Sequence, residues 1–295
     1  MKKIAFLFLT IGNPNFPKIW NAYFKNHKDK YNIYIHAKNP EQLTWKKSRL
    51  IKNLQETGWG FITRAYIELL KEAYKDPDNY KFITISESCV PIQSFDNFYE
   101  DVINDSRSWI KNMKISKYNY EVRINPQTTK PKPHYFLKNY ARFCLNREHV
   151  ALLLSKEKEL EFFHNMHVGD EFFLTLLCTT IKNSSSRCTL KNYKDFAVTY
   201  DDWEYVNKQK MEIKNKIRKL YELQESKNIN KSNNIMTLKK LHDDIAKNPK
   251  TIIDVKDDLD KIKSSTSYFY RKFAPTSNIE KYWKDIINST LHRRH

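Results

Sequence analysis

Two short stretches of this chain combine side chains that could move a proton or bind phosphate. The first, Gly169-Asp170-Glu171, comes directly before an apolar run, and carboxylates are favoured at the N-terminus of a helix. A glutamate at the edge of a cleft can take the proton from a hydroxyl group as that hydroxyl attacks, so Glu171 is a candidate general base. The plainer interpretation of an Asp-Glu pair at such a place is a helix cap.

The second stretch is Arg271-Lys272, which follows the aromatic run Tyr268-Phe269-Tyr270. Arginine offers phosphate a planar fork of donors, and lysine offers a point charge. Two such cations could neutralise a departing diphosphate in place of a metal ion. The plainer interpretation is two solvated basic residues among the 52 lysines and arginines of the chain.

The sequence does not predict a metal site. His164 and His167 lie near Asp170 and Glu171, and two histidines at this spacing can bind zinc. The His-Glu-x-x-His form is missing, however, so a chance cluster is the better interpretation. The four glycines form no Gly-x-Gly-x-x-Gly or Walker loop, which excludes the usual dinucleotide and P-loop sites.

The composition limits the class of protein and its partners. With 295 residues, of which 40% are hydrophobic, the chain can form one large α/β domain or two small ones. The net charge of +18 favours a nucleotide diphosphate, a nucleic acid or a membrane surface as partner. No apolar run reaches the ~20 residues of a membrane span, and the short apolar start resembles a strand more than a signal peptide. We therefore expect a soluble, cytoplasmic protein without an anchor.

The four cysteines do not indicate zinc or thioredoxin-like chemistry, because no pair has C-x-x-C spacing. Cys178 and Cys188 could form a disulfide in an oxidising compartment. Free and mostly buried thiols are the preferred expectation for a chain in which no export signal is visible.

The first half of the chain alternates between strand and helix patterns. Strands are predicted at 3–10, 31–36 and 81–86, and helices at 17–28, 61–75 and 95–104. This order is typical of a mostly parallel sheet with helices on both faces. In such sheets the ligand lies beyond the carboxyl ends of the strands, which places Thr10, His36 and Ser86-Glu87-Ser88 around one crevice.

The second half is less regular. It predicts a loop at 116–138, strands at 141–145, 196–200 and 267–273, and helices at 148–155, 170–181 and 277–291. Between them, residues 207–250 are basic and contain no glycine, and their apolar residues recur at helical spacing, so we expect an inserted helical hairpin. The predicted organisation is a catalytic domain at 1–206, a basic helical insertion at 207–260, and a strand and helix at 261–295 that complete the domain. The insertion could also serve as a docking surface for a membrane or a partner.

The loop after the third predicted strand has a distinctive sequence. In nucleotide-sugar transferases of the GT-A type this loop usually holds a metal with Asp-x-Asp, whereas Ser86-Glu87-Ser88-Cys89-Val90-Pro91-Ile92 contains no aspartate. Together with further blocks in the same order, it resembles the core-2/I-branching β-1,6-N-acetylglucosaminyltransferase family, glycosyltransferase family 14, and particularly its plant-type branch. The further blocks are Phe6-Leu7-Phe8-Leu9-Thr10, Trp59-Gly60, Asn146-Arg147-Glu148-His149, Asp170-Glu171-Phe172-Phe173, Thr199-Tyr200-Asp201-Asp202-Trp203 and Arg271-Lys272-Phe273.

The resemblance implies a GT-A-like fold and an inverting transfer from a UDP-sugar to a carbohydrate or glycoprotein hydroxyl, with no metal or other cofactor. N-acetylglucosamine and xylose are the donor sugars that it suggests. Glu171 takes the position of the family's catalytic base. The crevice and the resemblance together predict donor and diphosphate contacts from Thr10, His36, Glu87, Arg271 and Lys272. The predicted acceptor contacts are Asp170, Tyr200, Asp202 and Trp203.

The chain departs from the family pattern in two places. Asn139-Tyr140 stands where the family has Gly-Ser, and the basic insertion replaces the stretch on which a second cation is expected. Two other functions therefore stay open beside the transferase. One is a basic nucleic-acid-binding protein, although no binding module is recognisable. The other is a degenerate transferase that binds glycans, against which the intact Glu171 argues.

Overall fold

The computed structural model describes residues 1–113, 136–178, 189–227, 235–240 and 249–291. Within this part the protein is a mixed α/β structure with a mostly parallel central sheet, as the sequence predicts, and this sheet has seven strands. Its strands are β1 Lys3–Thr10, β2 Tyr31–Ala37, β3 Arg49–Leu50, β4 Asn79–Ser86, β6 Ser108–Trp109, β9 Cys144–Asn146 and β10 Tyr193–Lys194, in the order β10-β6-β9-β4-β1-β2-β3.

The sheet is mostly parallel because its long strands are joined by helical crossovers. β1 pairs in parallel with both β2 and β4, and β2 pairs in parallel with β3. Only β9 runs antiparallel to its neighbours β4 and β6. The near-continuous apolar sequence of β1 fits this position, since a central parallel strand is covered on both faces.

Helices cover both faces of the sheet. They are α1 Pro17–Tyr23, α2 Thr63–Tyr74, α3 Phe95–Asn104, α4 Arg147–Leu154, α5 Glu157–His164, α6 Glu204–Lys227, α7 Leu259–Ser264 and α8 Ile279–Leu291. The sheet has a hydrophobic core on each face, and alternate side chains of β1 belong to one core or the other. Ala5 and Leu7 pack with α2 and α4. Phe6 and Phe8 pack with the aromatic residues of α1 and α3. This is the period of two that a strand imposes on its side chains.

A second, three-stranded sheet carries the C-terminal part of the chain. It consists of β5 Val90–Pro91, β11 Thr199–Asp201 and β12 Phe269–Arg271, with β12 in the centre. β12 is parallel to β11 and antiparallel to β5, which follows the Ser86–Cys89 turn. Residues far apart in sequence therefore meet in this sheet. A two-stranded sheet pairs β7 Asn112–Met113 with β8 Lys138–Asn139.

The predicted helix at 170–181 is wrong. The chain instead forms two short 3₁₀ helices, Gly169–Glu171 and Phe173–Leu177, and residues 179–188 lie outside the described part. Phe172, Phe173 and Leu174 are all fully buried. Three consecutive buried side chains do not fit the single buried face of a surface α-helix, and tighter local turns satisfy them.

Several other element bounds differ from the prediction. α1 ends at Tyr23 rather than at residue 28, and Asn26 nearby adopts a left-handed φ of 67°. The strand predicted at 141–145 is Cys144–Asn146. The first helix of the basic insertion begins at Glu204, and residues 235–240 are helical as well. Two parts of the basic insertion, 228–234 and 241–248, lie outside the described residues. The loop predicted at 116–138 also lies outside them up to residue 135. The division of the chain into three parts stays a prediction.

The cysteines follow the expectation in part. Cys89 and Cys144 are free and buried. Cys178 is disulfide-bonded, so the expectation of a free thiol is wrong at this residue. In the segments that the structure describes, no helix has the length and apolar character needed to cross a membrane.

Candidate functional site

The carboxyl ends of β1, β2 and β4 lie side by side, as the strand order requires. Leu9 pairs with His36 on one side and with Ser86 on the other. Thr10, the next residue, is buried and donates through its Oγ1 to the carbonyl of Gly12 at 2.7 Å. The sheet therefore brings Thr10, His36 and the Ser86–Cys89 turn to one edge, where the sequence places the crevice.

His36 is fully buried at the end of β2. Its Nε2 accepts a hydrogen bond from the backbone N–H of Gln55 at 2.8 Å, which fixes the start of the segment that leads to Trp59. Burial lowers the pKa of His36, and hydrogen bonding to the backbone opposes this in part. A neutral ring with Nε2 as acceptor fits this environment.

The Ser86–Cys89 turn is held by its own polar groups. The backbone N–H of Cys89 donates to the carbonyl of Ser86 at 3.1 Å, and the Ser86 hydroxyl lies 3.1 Å from Cys89 Sγ and 3.3 Å from Ser88 Oγ. Small hydroxyl and thiol groups fit such a buried turn and leave few polar atoms without partners. The Ser86–Cys89 part of the motif that resembles the family thus forms a turn stabilised by its own polar groups.

Glu87 points out of this turn and fixes the loop after β1. Its carboxylate accepts from the backbone N–H of Ile11 at 2.8 Å, and its carbonyl accepts from the N–H of Asn15 at 3.0 Å. The two loops at the carboxyl edge are therefore joined. This arrangement makes Glu87 a support for the crevice, while its predicted contact with a donor stays a prediction.

Arg271 and Lys272 lie against the same turn, although they are remote from it in sequence. The backbone N–H of Phe273 donates to the carbonyl of Ser88 at 3.2 Å, and Asn15 Nδ2 donates to the carbonyl of Phe273 at 3.3 Å. Burial lowers the pKa of Lys272, as does neighbouring Arg271, against the opposing charge of Glu87. Two cations therefore share a partly buried position beside the crevice.

The guanidinium of Arg271 contacts one carboxylate. Its Nη1 lies 3.0 Å from Asp201 Oδ1, and both side chains are largely buried. The two residues face each other in the β11–β12 pair. Within the described chain, the Arg271 Nε has no hydrogen-bond partner. An arginine with an unsatisfied donor near the carboxyl edge of the sheet is suited to bind an additional anionic group.

Glu171, the candidate base, forms an ion pair that the sequence did not predict. Lys138 Nζ lies 3.3 Å from Glu171 Oε2; the Lys138 side chain is 10% exposed and that of Glu171 28% exposed. Lys138 is on β8, at the end of the segment predicted to be a loop. No periodic pattern marked it, because its partner is more than thirty residues away in sequence.

A second cation missed by the sequence is Arg142, whose side chain is buried. Its Nη1 donates to the hydroxyl of Tyr66 at 2.5 Å and to the carbonyl of Ala141 at 3.1 Å. Burial opposes its charge, but neighbouring Tyr66, Cys89 and the carboxylates of Asp201 and Asp170 raise the pKa of Arg142. Burial, opposed by Arg142, raises the pKa of Tyr66 to about 12. Arg142 thus is a buried positive charge that interacts with Asp201 and Asp170 of the predicted site.

The site residues form one electrostatic neighbourhood. Burial raises the pKa of Tyr140, and Asp201, Tyr200 and Glu171 raise it further. Tyr140 therefore senses both the carboxylate that pairs with Arg271 and the candidate base. The charges of Asp201 and Glu171 thus both affect the Tyr140 side chain.

The predicted acceptor residues differ in environment. Asp202 is buried, accepts from Lys261 Nζ at 2.8 Å and faces the N–H of Tyr205 at 3.5 Å, at the start of α6. Tyr200 is half-buried, with its ring 4.9 Å from that of Tyr270. Trp203 is partly exposed and Asp170 is buried. Asp202 thus pairs with Lys261 and lies at the start of α6, so it supports the structure there. Contacts of the four residues with an acceptor stay predictions.

The two histidines near Glu171 do not converge. His164, on α5, lies 3.4 Å from Glu161 Oε1, while His167 packs against the rings of Trp59 and Phe61. Across the described ranges, no group of three or more histidine, cysteine, aspartate or glutamate residues is placed to hold a metal ion. The protein residues described thus offer no ready set of ligands beside the candidate base.

Gly169 positions the base through close packing. A Cβ atom at this residue would lie 2.1 Å from the carbonyl oxygen of Phe163 and 2.8 Å from Thr63 Oγ1. We expect Gly169→Ala to lower the free energy of unfolding by about 1–3 kcal/mol, because backbone atoms have to move. Urea denaturation measures the change, and Gly58→Ala is the control, since a Cβ at Gly58 meets no atom within 4 Å. Equal stability of the two variants would contradict the packing argument.

Comparison with known proteins gives the following similarities. A profile of the family described as "Core-2/I-Branching enzyme" matches residues 4–230. "Glycosyltransferase BC10" of Oryza sativa subsp. japonica is 27% identical over 172 residues, which cover 55% of this chain and 42% of that protein. The chain thus spans less than half the length of this curated relative.

Among solved structures, the mannose-1-phosphate geranyltransferase from Thermus thermophilus is similar, with a TM-score of 0.31 and 10% identity. The similarity covers 56% of this chain and 64% of that one. A TM-score of this size carries no argument about function.

Proposed function

The chain belongs to the core-2/I-branching enzyme family, and from this premise we propose that it is an inverting, metal-independent glycosyltransferase. It would move a sugar, with N-acetylglucosamine or xylose the first candidates, from a UDP-sugar to a hydroxyl group of a carbohydrate or glycoprotein. The observation that carries this proposal is the contact of the Arg271–Phe273 segment with the Ser86–Cys89 turn at the carboxyl edge of the sheet. That contact supports the proposal because it brings two cations to the carboxyl edge of the sheet, the edge at which ligands of open α/β sheets generally bind.

The proposed reaction is a single in-line displacement. The acceptor hydroxyl gives its proton to the carboxylate of Glu171 as its oxygen forms a bond to the anomeric carbon. The bond from that carbon to the β-phosphate oxygen breaks on the opposite face, and its electron pair leaves with UDP. The configuration at the anomeric carbon is therefore inverted.

Arg271 and Lys272 stabilise the negative charge that develops on the leaving diphosphate. Both are partly buried, where the local dielectric is low and a fixed cation stabilises an anion more than it would in water. The Asp201 carboxylate holds the Arg271 guanidinium in place from one side. Arg142, which interacts with Asp201 as Arg271 does, adds to the positive potential that attracts an anionic donor.

Lys138 has a different task in this mechanism. The Lys138 side chain is 10% exposed, and its ammonium group lies 3.3 Å from Glu171 Oε2, where it can orient the carboxylate. A base that is fixed in this way loses little conformational freedom when the acceptor binds. We regard Lys138 as a positioning residue rather than a group that touches the reacting atoms.

Release of UDP from a panel of UDP-sugars tests the proposal. The panel contains UDP-N-acetylglucosamine, UDP-xylose, UDP-galactose and UDP-glucose, each with and without a mixture of neutral glycosides as acceptors. We expect acceptor-dependent release from at least one donor. No release from any donor would overturn the proposed function.

The same assay tests metal independence. We expect the rate to be unchanged by excess EDTA, because protein cations take the place of a divalent ion at the diphosphate. Addition of Mn²⁺ or Mg²⁺ after chelation is the control. A rate that falls with EDTA and returns with Mn²⁺ would show a metal-dependent transferase instead.

A further inference from the structure

The turn at Gly58–Phe61 presents two large aromatic side chains to solvent. Trp59 is 62% exposed and Phe61 is 47% exposed. The backbones of Gly58 and Phe61 exchange hydrogen bonds, which hold the turn closed. Two exposed aromatic rings on one short turn gain little from burial in the folded chain, and adjacent exposed apolar groups often mark a binding site.

His167 joins these rings into one surface. Its ring centroid lies 5.0 Å from that of Trp59 and 5.5 Å from that of Phe61. We call Trp59, Phe61 and His167 the aromatic surface. These three side chains include no lysine, arginine or carboxylate.

The aromatic surface is fastened to the segment that carries Glu171. The N–H of Val168 donates to the carbonyl of Gly60 at 2.6 Å, and Glu171 follows three residues later in the chain. Gly60 has a φ of +80°, and a Cβ there would lie 2.5 Å from His167 Cδ2. Only glycine allows both this backbone conformation and this close approach. The backbone therefore holds the Gly58–Phe61 turn against the segment that carries the base.

An exposed aromatic surface fastened to the segment of the general base fits the face of a sugar ring. The axial C–H bonds of a pyranose form an apolar face that packs on aromatic rings, while its hydroxyl groups stay free for hydrogen bonds. In a displacement with inversion, the attacking hydroxyl and the departing diphosphate lie on opposite sides of the anomeric carbon. The ring next to the base thus belongs to the acceptor, and the ring next to Arg271 and Lys272 belongs to the donor.

We propose that the aromatic surface of Trp59, Phe61 and His167 binds the pyranose ring of the acceptor and presents its hydroxyl to Glu171. This inference rests on the proposed function and adds the class of acceptor: a neutral, solvent-accessible sugar rather than a peptide side chain or an acidic group. Trp59, the more exposed of the two aromatic residues of the turn, makes the larger contribution.

The test compares Trp59→Ala with Trp59→Phe, which keeps an aromatic face, and with Met211→Ala. Met211 is the matched control because it is also 62% exposed and it lies on α6. Acceptors are the methyl pyranosides of galactose, glucose, N-acetylglucosamine and xylose, and the best donor comes from the panel above. Hydrolysis of that donor in the absence of an acceptor reports on donor binding alone.

We expect Trp59→Ala to lower kcat/KM for the acceptor about three- to tenfold, the range of a single aromatic contact. Trp59→Phe should recover most of this loss, and donor hydrolysis should be unchanged in all three variants. A rise in donor KM in the hydrolysis assay would assign the surface to the donor sugar and overturn the inference. Equal effects of Trp59→Ala and Met211→Ala would overturn it as well.

Failure of the proposed function gives a different result. In that case the wild-type protein would transfer no sugar from any UDP-sugar to any pyranoside, and the inference would fall with it. If wild-type transfer is observed, the Trp59 variants test the aromatic surface alone. Because Trp59 is exposed, its replacement should leave the thermal midpoint of unfolding within the range of the Met211→Ala control.

Discussion

Replacement of Glu171 by glutamine should lower the rate of sugar transfer by about 10²–10⁴-fold, the contribution of one positioned general base. Glutamine has nearly the same shape but cannot take the acceptor proton. Because the Glu171 side chain is 28% exposed, the fold should tolerate the change. Transfer by the variant, measured as acceptor-dependent release of UDP, gives the result directly.

The control for this variant is Glu159→Gln, on the exposed side of α5. It removes one carboxylate of the same type outside the site and should leave transfer unchanged. Binding of UDP, measured by calorimetry, should be the same for both variants and the wild type, since the base does not contact the diphosphate. Near-normal transfer by Glu171→Gln would show that another group is the base.

Replacement of Lys272 by methionine should lower kcat/KM for the donor by about 10²–10³-fold, the effect of removing one group that stabilises a developing negative charge. Methionine fills a similar volume, so the partly buried position stays occupied. Binding of UDP should weaken in parallel, because in the proposed mechanism Lys272 contacts the diphosphate before and after transfer. Steady-state kinetics with donor as the varied substrate separate this effect from acceptor binding.

The control for Lys272→Met is Lys281→Met, an exposed lysine near the start of α8. Arg271 needs a second change, because Arg271→Gln alone would leave the Asp201 carboxylate buried without its cation. The double variant with Asp201→Asn removes both charges and isolates the catalytic effect from the effect on folding. Full activity of Lys272→Met would contradict the assignment of these cations to the diphosphate.

The sequence predicted the central sheet because its strands and helices follow the simplest patterns. The continuous apolar run of β1 and the alternation of β2 are local features, and the helical spacing over 63–74 needs no tertiary contact to be seen. The rule that ligands lie beyond the carboxyl ends of parallel strands then placed Thr10, His36 and Ser86 together. The register of β1 with both neighbours confirms that placement.

The supporting residues could not be predicted in this way, because their roles depend on partners distant in sequence. Lys138 has no pattern of its own until β8 brings it to Glu171, and Arg142 meets Tyr66 across 76 residues. The predicted helix at Asp170 failed because Phe172 and Phe173 are both buried, a constraint set by the surrounding core. Tertiary packing overrides local helix preference at such places.

The Ser86–Cys89 turn has two roles in the structure. As a local turn, it is explained by hydrogen bonds among Ser86, Ser88 and Cys89. As part of the site, it offers the carbonyl of Ser88 to Phe273 and the carboxylate of Glu87 to Ile11. The turn therefore connects the loop after β1 to the segment with Arg271 and Lys272, and this connection supports the proposal that the two cations serve one site.

A crystal structure of the protein with UDP, grown in the presence of EDTA, tests the central claim most directly. The claim is that the crevice beside the Ser86–Cys89 turn binds the diphosphate through Arg271 and Lys272. The account predicts β-phosphate oxygens within hydrogen-bond distance of Lys272 Nζ and of the Arg271 guanidinium, with the uridine towards Thr10 and His36. A diphosphate bound away from these two residues, or one that binds only when a divalent ion bridges it to the protein, would contradict the account.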